Sequence, residues 1–490
     1  MAGQRWDREK LLIGGEWRAA SGGTYEVINP STEEVVGLAP EATREDAYEA
    51  ARAAKDAFWT WSRTTPQERA DLLKRAAELL AKHNDDLVPL VQAETGATQK
   101  VASSMQVPIA IGRFNRYAAG AMEPNQIPLP PQVAQATALA AGGLVGAVVN
   151  RAPVGVVACI ASYNFPLTNM AGKVAPALAM GNTVVIKPAP QDPLNIIDLV
   201  AILEEAGFPP GVVNIITGSG AEAGAALVDS PDVDMVSFTG STNVGIKIAE
   251  AGAKTMKRNL MELGGKGACI VFDDADIGAA IAGIASTWAF HSGQICTAPT
   301  RVLAQRGIYN ELMDKLTATA NALKVGDPLE DDTIVGPLIS ALQRERVEGY
   351  IQGGIDQGAA LLAGGVERPD IEKGFYVRPT LFADCRPDMT VVQEELFGPV
   401  VAAMPFDDED EAIALANQSV FGLYDYVYTG DAGRGFEVAR RLRTGNVGVN
   451  TTQRNHETPF GGFKLSGINR DGGSFGLHCY SEMQSVVWPG

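Results

Sequence analysis

Residues 154–187, VGVVACIASYNFPLTNMAGKVAPALAMGNTVVIK, hold one complete unit of strand, helix and strand. The runs at 154–160 and 183–187 are short and continuously apolar, as in strands that are covered on both faces. Between them we predict a helix from Pro166 to about Met180, because proline suits the first turn of a helix. Strands joined through a helix pair in parallel, so this unit predicts a parallel sheet covered by helices.

The alternation continues along the chain. Upstream, residues 41–96 are rich in alanine, have apolar positions three and four residues apart, and are predicted to be mostly helical. A second α/β region begins near Gly265, with one helix leading to Cys296. The other predicted helices lie near 193–206, 221–228 and 309–323, and the other predicted strands at 212–216, 235–239, 268–272, 301–304, 427–428 and 447–449. We therefore expect two α/β lobes with Cys296 between them.

Composition limits the classes of function. The 490 residues are 46% apolar and 20% charged, which suits two or three domains. A net charge of −18 argues against nucleic acid and anionic membrane surfaces as partners. The first ten residues are charged and contain no apolar segment of signal-peptide length, so a cytoplasmic location is expected. Five scattered cysteines and four histidines suggest neither a disulfide framework nor a metal site.

The stretch 125–150 carries no charge and is rich in Ala, Gly, Gln and Pro. Its transfer free energy into a bilayer is weak beside that of a segment of Leu, Ile and Phe. We expect a buried linker and hairpin at a subunit contact, and no membrane helix.

Two residues suggest covalent chemistry, Cys296 in HSGQICTAPTR (291–301) and Glu262 in MELGGK (261–266). A thiol can attack a carbonyl carbon, and a carboxylate can activate the water that releases the product. Each residue alone has an ordinary explanation, since cysteine commonly fills a core and glutamate commonly lies on a surface. The small polar neighbours of Cys296 and the glycines after Glu262 favour an accessible thiol and a carboxylate in a cleft. A cysteine hydrolase with His291 or His456 as its base is a second interpretation, although neither spacing is a hydrolase signature.

Two glycine patterns come close to known phosphate-binding motifs. Gly218-x-Gly220-x-x-x-Gly224 misses the dinucleotide pattern by one residue, and in the run at 240–247 lysine does not directly follow the second glycine, as a P-loop requires. Both lie between a predicted strand and a predicted helix, where helix N-terminal amides favour a phosphate. The residues alone predict a nucleotide or phosphate ligand without choosing one.

Taken in chain order, seven segments resemble the aldehyde dehydrogenase superfamily: NFP (164–166), GNTVVIKP (181–188), FTGST (238–242), ELGGK (262–266), GQIC (293–296), EELFGP (394–399) and PFGGFKLSG (459–467). The resemblance implies an α/β fold with a Rossmann-variant parallel-sheet cofactor domain, an α/β catalytic domain and a small β oligomerisation element. The implied boundaries are 1–130 and 152–263 for the cofactor domain, 264–473 for the catalytic domain, and 131–151 with 474–490 for the oligomerisation element. A homodimer or homotetramer is expected.

By the same resemblance, Cys296 forms a thiohemiacetal and then a thioester, and Glu262 activates the water that hydrolyses it. Asn164 and the Cys296 backbone N–H are expected to hold the oxyanion. The implied cofactor-binding residues are Lys187 at the adenosine ribose, Gly220 and Ser241 near the pyrophosphate and adenine, Glu395 and Phe397 at the nicotinamide ribose, and Tyr163. A non-catalytic member of the superfamily is the remaining alternative.

The resemblance also bears on cofactor, product and substrate. Many members that prefer NAD carry a glutamate three residues after the lysine, where this chain has Pro190. NAD is expected because it is the commoner cofactor in the family, and NADP stays open because proline, unlike a carboxylate, would not repel a 2′-phosphate. Family members that transfer the acyl group to coenzyme A typically lack the glutamate that activates water. The presence of Glu262 therefore implies that the product is the free carboxylic acid. The implied substrate channel contains no arginine that demands a carboxylated aldehyde, although Arg454 is close by. Its expected residues are Phe165, Thr168, Asn169, Ile295, Thr297 and the loop 455–460.

Overall fold

The computed structural model describes residues 5–489. The first four residues of the expected cofactor domain, and Gly490 of the expected oligomerisation element, lie outside them. The strands are β1 (Lys10–Ile13), β2 (Glu16–Ala19), β3 (Thr24–Ile28), β4 (Val35–Pro40), β5 (Gln126–Ala134), β6 (Gly143–Pro153), β7 (Val156–Ile160), β8 (Thr183–Lys187), β9 (Val213–Ile215), β10 (Met235–Thr239), β11 (Arg258–Glu262), β12 (Ala268–Val271), β13 (Arg301–Gln305), β14 (Ala360–Ala363), β15 (Thr380–Ala383), β16 (Val400–Phe406), β17 (Tyr424–Tyr428), β18 (Asn446–Val449), β19 (Gly467–Ile468) and β20 (Ser481–Pro489).

The helices occur between these strands in the alternation that the sequence predicts. They are α1 (Arg44–Trp61), α2 (Pro66–Lys82), α3 (Asn84–Thr95), α4 (Gln99–Val101), α5 (Val107–Gly120), α6 (Pro166–Ala179), α7 (Leu194–Glu205), α8 (Glu222–Asp229), α9 (Thr242–Gly252), α10 (Ile277–Ala289), α11 (Arg306–Ala322), α12 (Ala341–Asp356), α13 (Thr390–Gln393), α14 (Glu409–Asn417), α15 (Ala432–Arg441) and α16 (Gly473–Cys479). A π-helical turn (Ala102–Gln106) joins α4 to α5, and single 3-10 turns occur at Ala253–Thr255, His291–Gly293 and Lys464–Ser466.

The first sheet has eight strands in the order β19-β11-β10-β7-β8-β9-β1-β2. Its centre, from β11 to β9, is parallel, as the sequence predicts. Strands β1 and β2 extend one side and β19 extends the other, and all three are antiparallel additions that the sequence did not predict. Because parallel strands end at one edge, the segments after β7, β8, β9, β10 and β11 meet there.

The second sheet has the order β14-β15-β16-β13-β12-β17-β18, and only β14 is antiparallel to its neighbour. Helices cover both faces of both sheets and bury most of the apolar side chains. The chain crosses from the first sheet to the second between Glu262 and Ala268. This mixed α/β architecture with two parallel sheets confirms the predicted fold class.

A third, antiparallel sheet has the order β20-β6-β5. The expected hairpin at 125–150 is confirmed as β5 and β6. It was expected to be buried, and in the single chain this expectation is wrong. Every residue of β5 is exposed, since helices cover neither face of this part of the sheet. Strand β20 pairs along β6 from Ser481 to Pro489.

No helix within residues 5–489 combines the length and the apolar character that crossing a membrane requires.

Candidate active site

The segment that carries Cys296 is an irregular loop between α10 and β13. Helix α10 ends at Ala289, and His291, Ser292 and Gly293 then take left-handed backbone angles, with φ of 51°, 54° and 75°. A side chain at position 293 would overlap the Gly398 carbonyl, so the glycine is required there. The side chain of the fully buried Gln294 fixes the loop by accepting from the Ile339 N–H at 3.0 Å.

The thiol lies at the crossing between the two sheets. Gly265 packs so closely on the Cys296 carbonyl that a side chain at 265 would displace it. Burial raises the pKa of the Cys296 thiol to about 12, the positive charge of Arg454 opposes that rise, and Glu395 and Glu262 add to it. Cys296 is nevertheless partly exposed to solvent. A cysteine that only filled the core would be fully buried.

Asn164 follows β7 and points its amide at the cysteine loop. Its Oδ1 accepts from Ser162 Oγ at 2.9 Å and from Asn169 Nδ2 at 3.2 Å. The Nδ2 group therefore faces the other way and donates to the Gln294 carbonyl at 2.8 Å. The second N–H of that group, and the Cys296 amide, donate to no carbonyl among residues 5–489. Two N–H donors thus remain beside the thiol.

Glu262 ends β11 and is buried, at 5% exposure, so its interpretation as a surface glutamate is wrong. Within the described residues neither carboxyl oxygen has a hydrogen-bond partner. Burial raises the pKa of this carboxyl well above its ordinary value, Asp471 adds to the rise, and Lys173, Arg470 and Arg454 oppose it. Gly461 packs on Oε1, where a side chain would come within 2.6 Å.

Two charged residues near Glu262 were missed by the sequence reasoning. Lys173 is fully buried in α6, donates to Ser237 Oγ at 3.4 Å, and has its pKa lowered by burial against the opposing charges of Asp471 and Glu262. Asp471 is 7% exposed. A lysine in an otherwise apolar helix, nine residues after Asn164, was the available signal.

Lys187 ends β8, and its Nζ donates to the Pro188 carbonyl at 3.1 Å. Burial lowers the pKa of Lys187 to about 8, while Glu41 and Asp192 oppose that shift. Glu41 also accepts from the Ser219 N–H, at 3.1 and 3.0 Å. Acidic groups therefore surround Lys187 although position 190 is proline, and the sequence reasoning missed both of them.

Gly220 and Ser241 follow β9 and β10 at the same edge of the sheet. Both are exposed, and no atom lies within 4 Å of the position that a Gly220 Cβ would take. Ser241 is the N-cap residue of α9 but makes no side-chain capping bond. A free helix N-terminus beside an open glycine segment can accommodate a phosphate group.

Glu395, Phe397 and Tyr163 form another part of the same cleft. Glu395 accepts from the Gly265 N–H at 2.9 Å, and burial raises its pKa to about 7. The rings of Tyr163 and Phe397 meet edge to face at 5.8 Å. These three residues therefore lie next to the crossing that joins Glu262 to the second sheet.

The expected channel residues surround the thiol from several elements. Phe165 stacks on Phe290 at 5.6 Å, and its ring is 5.5 Å from that of His291. Burial lowers the pKa of His291 to about 4, so this imidazole is neutral. Arg454 donates to Oγ1 of Thr297, the residue directly after Cys296, and therefore lies among the expected channel residues.

Within residues 5–489, no three His, Cys, Asp or Glu side chains are grouped so that they could hold a metal ion.

Comparison with known proteins agrees with this geometry. The model of the aldehyde dehydrogenase family matches residues 17–486. The chain is similar to a 3-succinoylsemialdehyde-pyridine dehydrogenase of Pseudomonas sp., with 39% identity over 484 residues covering 98% of each protein. It is also similar to a mitochondrial aldehyde dehydrogenase of Leishmania tarentolae, with 39% identity covering 98% of this chain and 94% of that one.

Solved structures give the same result. An aldehyde dehydrogenase of Bacillus cereus in complex with NAD+ superposes with a TM-score of 0.92 and 39% identity, covering 99% of this chain and 97% of that one. A betaine aldehyde dehydrogenase of Staphylococcus aureus in complex with NAD+ superposes with a TM-score of 0.94 and 34% identity, covering 98% and 95%. Because the family model matches nearly the whole length of this chain, the chain belongs to the aldehyde dehydrogenase family.

Proposed function

We propose that this aldehyde dehydrogenase oxidises an aldehyde to the free carboxylic acid, with NAD as the electron acceptor and Cys296 as a covalent nucleophile. The observation that carries the proposal is the buried carboxyl of Glu262, which has no hydrogen-bond partner among residues 5–489 and lies within electrostatic range of the Cys296 thiol, together with the two N–H donors of Asn164 and Cys296 that bind no carbonyl there. Burying a carboxyl without partners costs free energy, and a catalytic role accounts for keeping it.

In the first step, the Cys296 thiol gives its proton to solvent water, its sulfur bonds to the aldehyde carbon, and the carbonyl π bond breaks so that the oxygen becomes an oxyanion. The second Asn164 N–H and the Cys296 amide are the donors available to hold it. One such preorganised donor is worth about 3 kcal/mol of transition-state stabilisation. The positive charge of Arg454 favours the thiolate that the attack requires.

The tetrahedral carbon then loses its hydrogen as hydride, the C=O double bond forms again, and the acyl group remains bound to Cys296 as a thioester. When bound, the nicotinamide coenzyme supplies the acceptor for that hydride. Glu262 next removes a proton from water as the water oxygen bonds to the acyl carbon, and the carbon–sulfur bond breaks to release the acid and the thiolate. A carboxylate with a raised pKa is a stronger base than an ordinary one.

The residues around Lys187 fit a dinucleotide. Lys187 offers buried N–H donors, Gly220 leaves open space, and Ser241 leaves the N-terminus of α9 uncapped. Glu395, Phe397 and Tyr163 are proposed to hold the nicotinamide end near the thiol. We propose NAD over NADP because the charge of Glu41 acts on Lys187, and a carboxylate there would repel a 2′-phosphate. The related structures from Bacillus cereus and Staphylococcus aureus hold NAD+.

We further propose the domain division 1–130 with 152–263, 264–473, and 131–151 with 474–490. The three large sheets follow this division apart from β19, which pairs in the first sheet, and the ends of β5 and β6, which cross the boundaries at 130 and 151. The third sheet is proposed to pair with a second copy in a homodimer or homotetramer. It leaves many large apolar side chains exposed, which a subunit contact would cover: Ile127, Leu129, Val133, Leu144, Met483, Val486, Val487 and Trp488.

The test is aldehyde-dependent reduction of NAD by the purified protein, followed by absorbance. Cys296→Ala is expected to abolish it, because no other nucleophile is present in the proposed mechanism, whereas Cys479→Ala, which removes a half-buried thiol of α16, serves as the thiol control. Full activity of Cys296→Ala would exclude the covalent mechanism. Hydrolysis of an activated ester without any aldehyde oxidation would favour the cysteine hydrolase, and no activity of either kind would favour the non-catalytic member.

A further inference from the structure

The channel contains an arginine that the sequence reasoning did not identify. Arg113 extends from α5 onto α6, and its guanidinium occupies the space that a side chain at Gly172 would fill. Gly172 is buried, and it lies on α6 three residues after Asn169, whose amide bonds Asn164. At 1.5 Å per residue, this places Gly172 about 4.5 Å further along the helix from Asn169.

Arg113 has no acidic partner. Across residues 5–489 it makes no hydrogen bond or ion pair, whereas its neighbour Arg116 pairs with Glu457 at 2.6 Å and with Glu123 at 3.0 Å. The acid of the nearby loop is thus already paired with Arg116. A partly buried guanidinium without a counterion has five N–H donors that favour an anion.

Arg454 supplies a second cation from the loop between β18 and β19. Its guanidinium donates to Thr297 Oγ1, and it lies 4.6 Å from the ring centroid of Phe460 and 5.5 Å from that of Tyr424. These contacts hold it beside the thiol without a carboxylate partner among the described residues. Aromatic faces stabilise the charge but do not neutralise it.

The two arginines act on the same region. Burial lowers the pKa of His456, and the charges of Arg113 and Arg454 lower it further, against the opposing effect of Glu457. The other acids of the region, Asp471 and Glu262, act on the buried Lys173, and Glu262 is also within electrostatic range of Arg454 and Arg470. The region around His456 is therefore cationic in a protein whose net charge is −18.

We propose that the aldehyde substrate carries a carboxylate, held by the guanidinium groups of Arg113 and Arg454. The proposal rests on the proposed function, because it names the substrate class of the same site. A planar guanidinium matches a carboxylate with two parallel hydrogen bonds. The short step from Asn169 to Gly172 limits the spacer between aldehyde and carboxylate to a few carbons. A quaternary ammonium aldehyde, such as betaine aldehyde, would be repelled.

The first test compares substrates on the wild-type protein. Succinic semialdehyde and butanal have the same carbon number and differ in one carboxylate, and glutaric semialdehyde and pentanal form a second pair. Since a hydrogen bond to a charged group is worth about 1.5–3 kcal/mol, we expect kcat/KM to be roughly 10- to 100-fold higher for the carboxylated member. Added salt is expected to raise KM for the semialdehydes more than for the neutral aldehydes.

The second test uses variants. Arg113→Met and Arg454→Met are each expected to lower the ratio of kcat/KM between succinic semialdehyde and butanal by roughly 10-fold or more, while Arg113→Lys retains part of it. Arg306→Met removes an exposed arginine that pairs with Asp407, far from the channel, and is the control. Thermal unfolding of each variant identifies any that fail to fold.

The outcomes separate the two proposals. If the wild-type protein oxidises butanal as efficiently as succinic semialdehyde, the carboxylate inference is overturned and the proposed function stands. Equal ratios in wild type and in folded Arg113→Met and Arg454→Met would also overturn it. If no aldehyde in the panel reduces NAD or NADP, the proposed function itself fails. The wild-type comparison remains decisive even if the variants do not fold.

Discussion

At the scale of single residues, environment rather than residue type gives Glu262 its chemistry. Viewed alone in the sequence, it resembles any surface glutamate. In the fold it ends a central strand, packs against Gly461 and has no hydrogen-bond partner among the described residues. The sequence signal, two glycines after the glutamate, indicated a close backbone crossing but not the depth of the carboxyl.

Glu262→Gln is expected to lower the steady-state rate by about 10²- to 10⁴-fold, because the amide cannot accept the proton of the hydrolytic water. The first turnover should persist as a burst of reduced NAD. The pKa of the carboxyl is raised, so the wild-type rate should increase with pH as Glu262 loses its proton, and this rise in the hydrolytic step should be absent from the variant. Stopped-flow absorbance across pH measures both, and an unchanged steady-state rate would remove Glu262 as the base.

A second residue-scale prediction concerns the cofactor. Glu41→Gln removes a carboxylate beside Lys187 and should therefore improve kcat/KM with NADP relative to NAD by roughly threefold to tenfold, since a partly exposed charge is worth about 1 kcal/mol. Glu45→Gln, at an exposed position in the first turn of α1 four residues further on, is the control. A wild-type protein that already uses NADP better than NAD would contradict the proposed preference.

At the scale of elements, the thiol is positioned by one irregular loop pressed against another. The crossing segment 263–267 places Gly265 on the Cys296 carbonyl, and the left-handed turn at 291–293 directs the loop into that contact. Neither loop is part of a strand ladder, so their mutual packing, together with the bond from the Ile339 N–H to Gln294, sets the position of the sulfur.

Gly265→Ala is therefore expected to lower kcat by about 10²-fold, because a displacement of about 1 Å at a reacting group costs that much. The free energy of unfolding should fall by about 1–3 kcal/mol through overpacking. Gly307→Ala is the matched control, since nothing lies within 4 Å of its Cβ position. Kinetics and thermal unfolding check the two effects, and normal kinetics in Gly265→Ala would show that this contact does not position the thiol.

How well the elements were predicted depends on where their stabilising contacts lie. The apolar strands β7, β8 and β10 and helix α6 carry their signal locally, and the sequence identified them within one or two residues. Strands β1, β2 and β19 are short and pair antiparallel with the parallel centre of the sheet, so only distant contacts form them. Arg113 escaped notice for the same reason, because its position over Gly172 depends on how two helices pack.

At the scale of the whole molecule, the C-terminal part of the chain connects two sheets. Strand β19 pairs with β11 at Met261 and Glu262, and β20 pairs with the exposed hairpin strand β6. An ion pair between Arg258 and Glu482 joins the start of β11 to β20. The strand that carries the proposed base is thus attached at both ends to the segment that carries the proposed subunit contact.

Ending the chain after Tyr480 removes β20 and leaves the edge of β6 unpaired. We expect the full chain to scatter light as a dimer or tetramer and the truncated chain to scatter as a monomer or to aggregate. Glu482→Gln, which removes the ion pair but keeps the strand, should retain the oligomer. A monomeric full chain would exclude the proposed assembly.

The double attachment of the C-terminal segment also determines which changes in the chain length of this region the protein can tolerate. Residues between Ile468 and Ser481 link two strands whose registers are both fixed, one beside Glu262 and one along β6. An insertion or deletion there would have to shift one of these registers, and a shift of one residue turns every side chain of a strand to the opposite face. Natural variation in this stretch should therefore consist of substitutions at constant length.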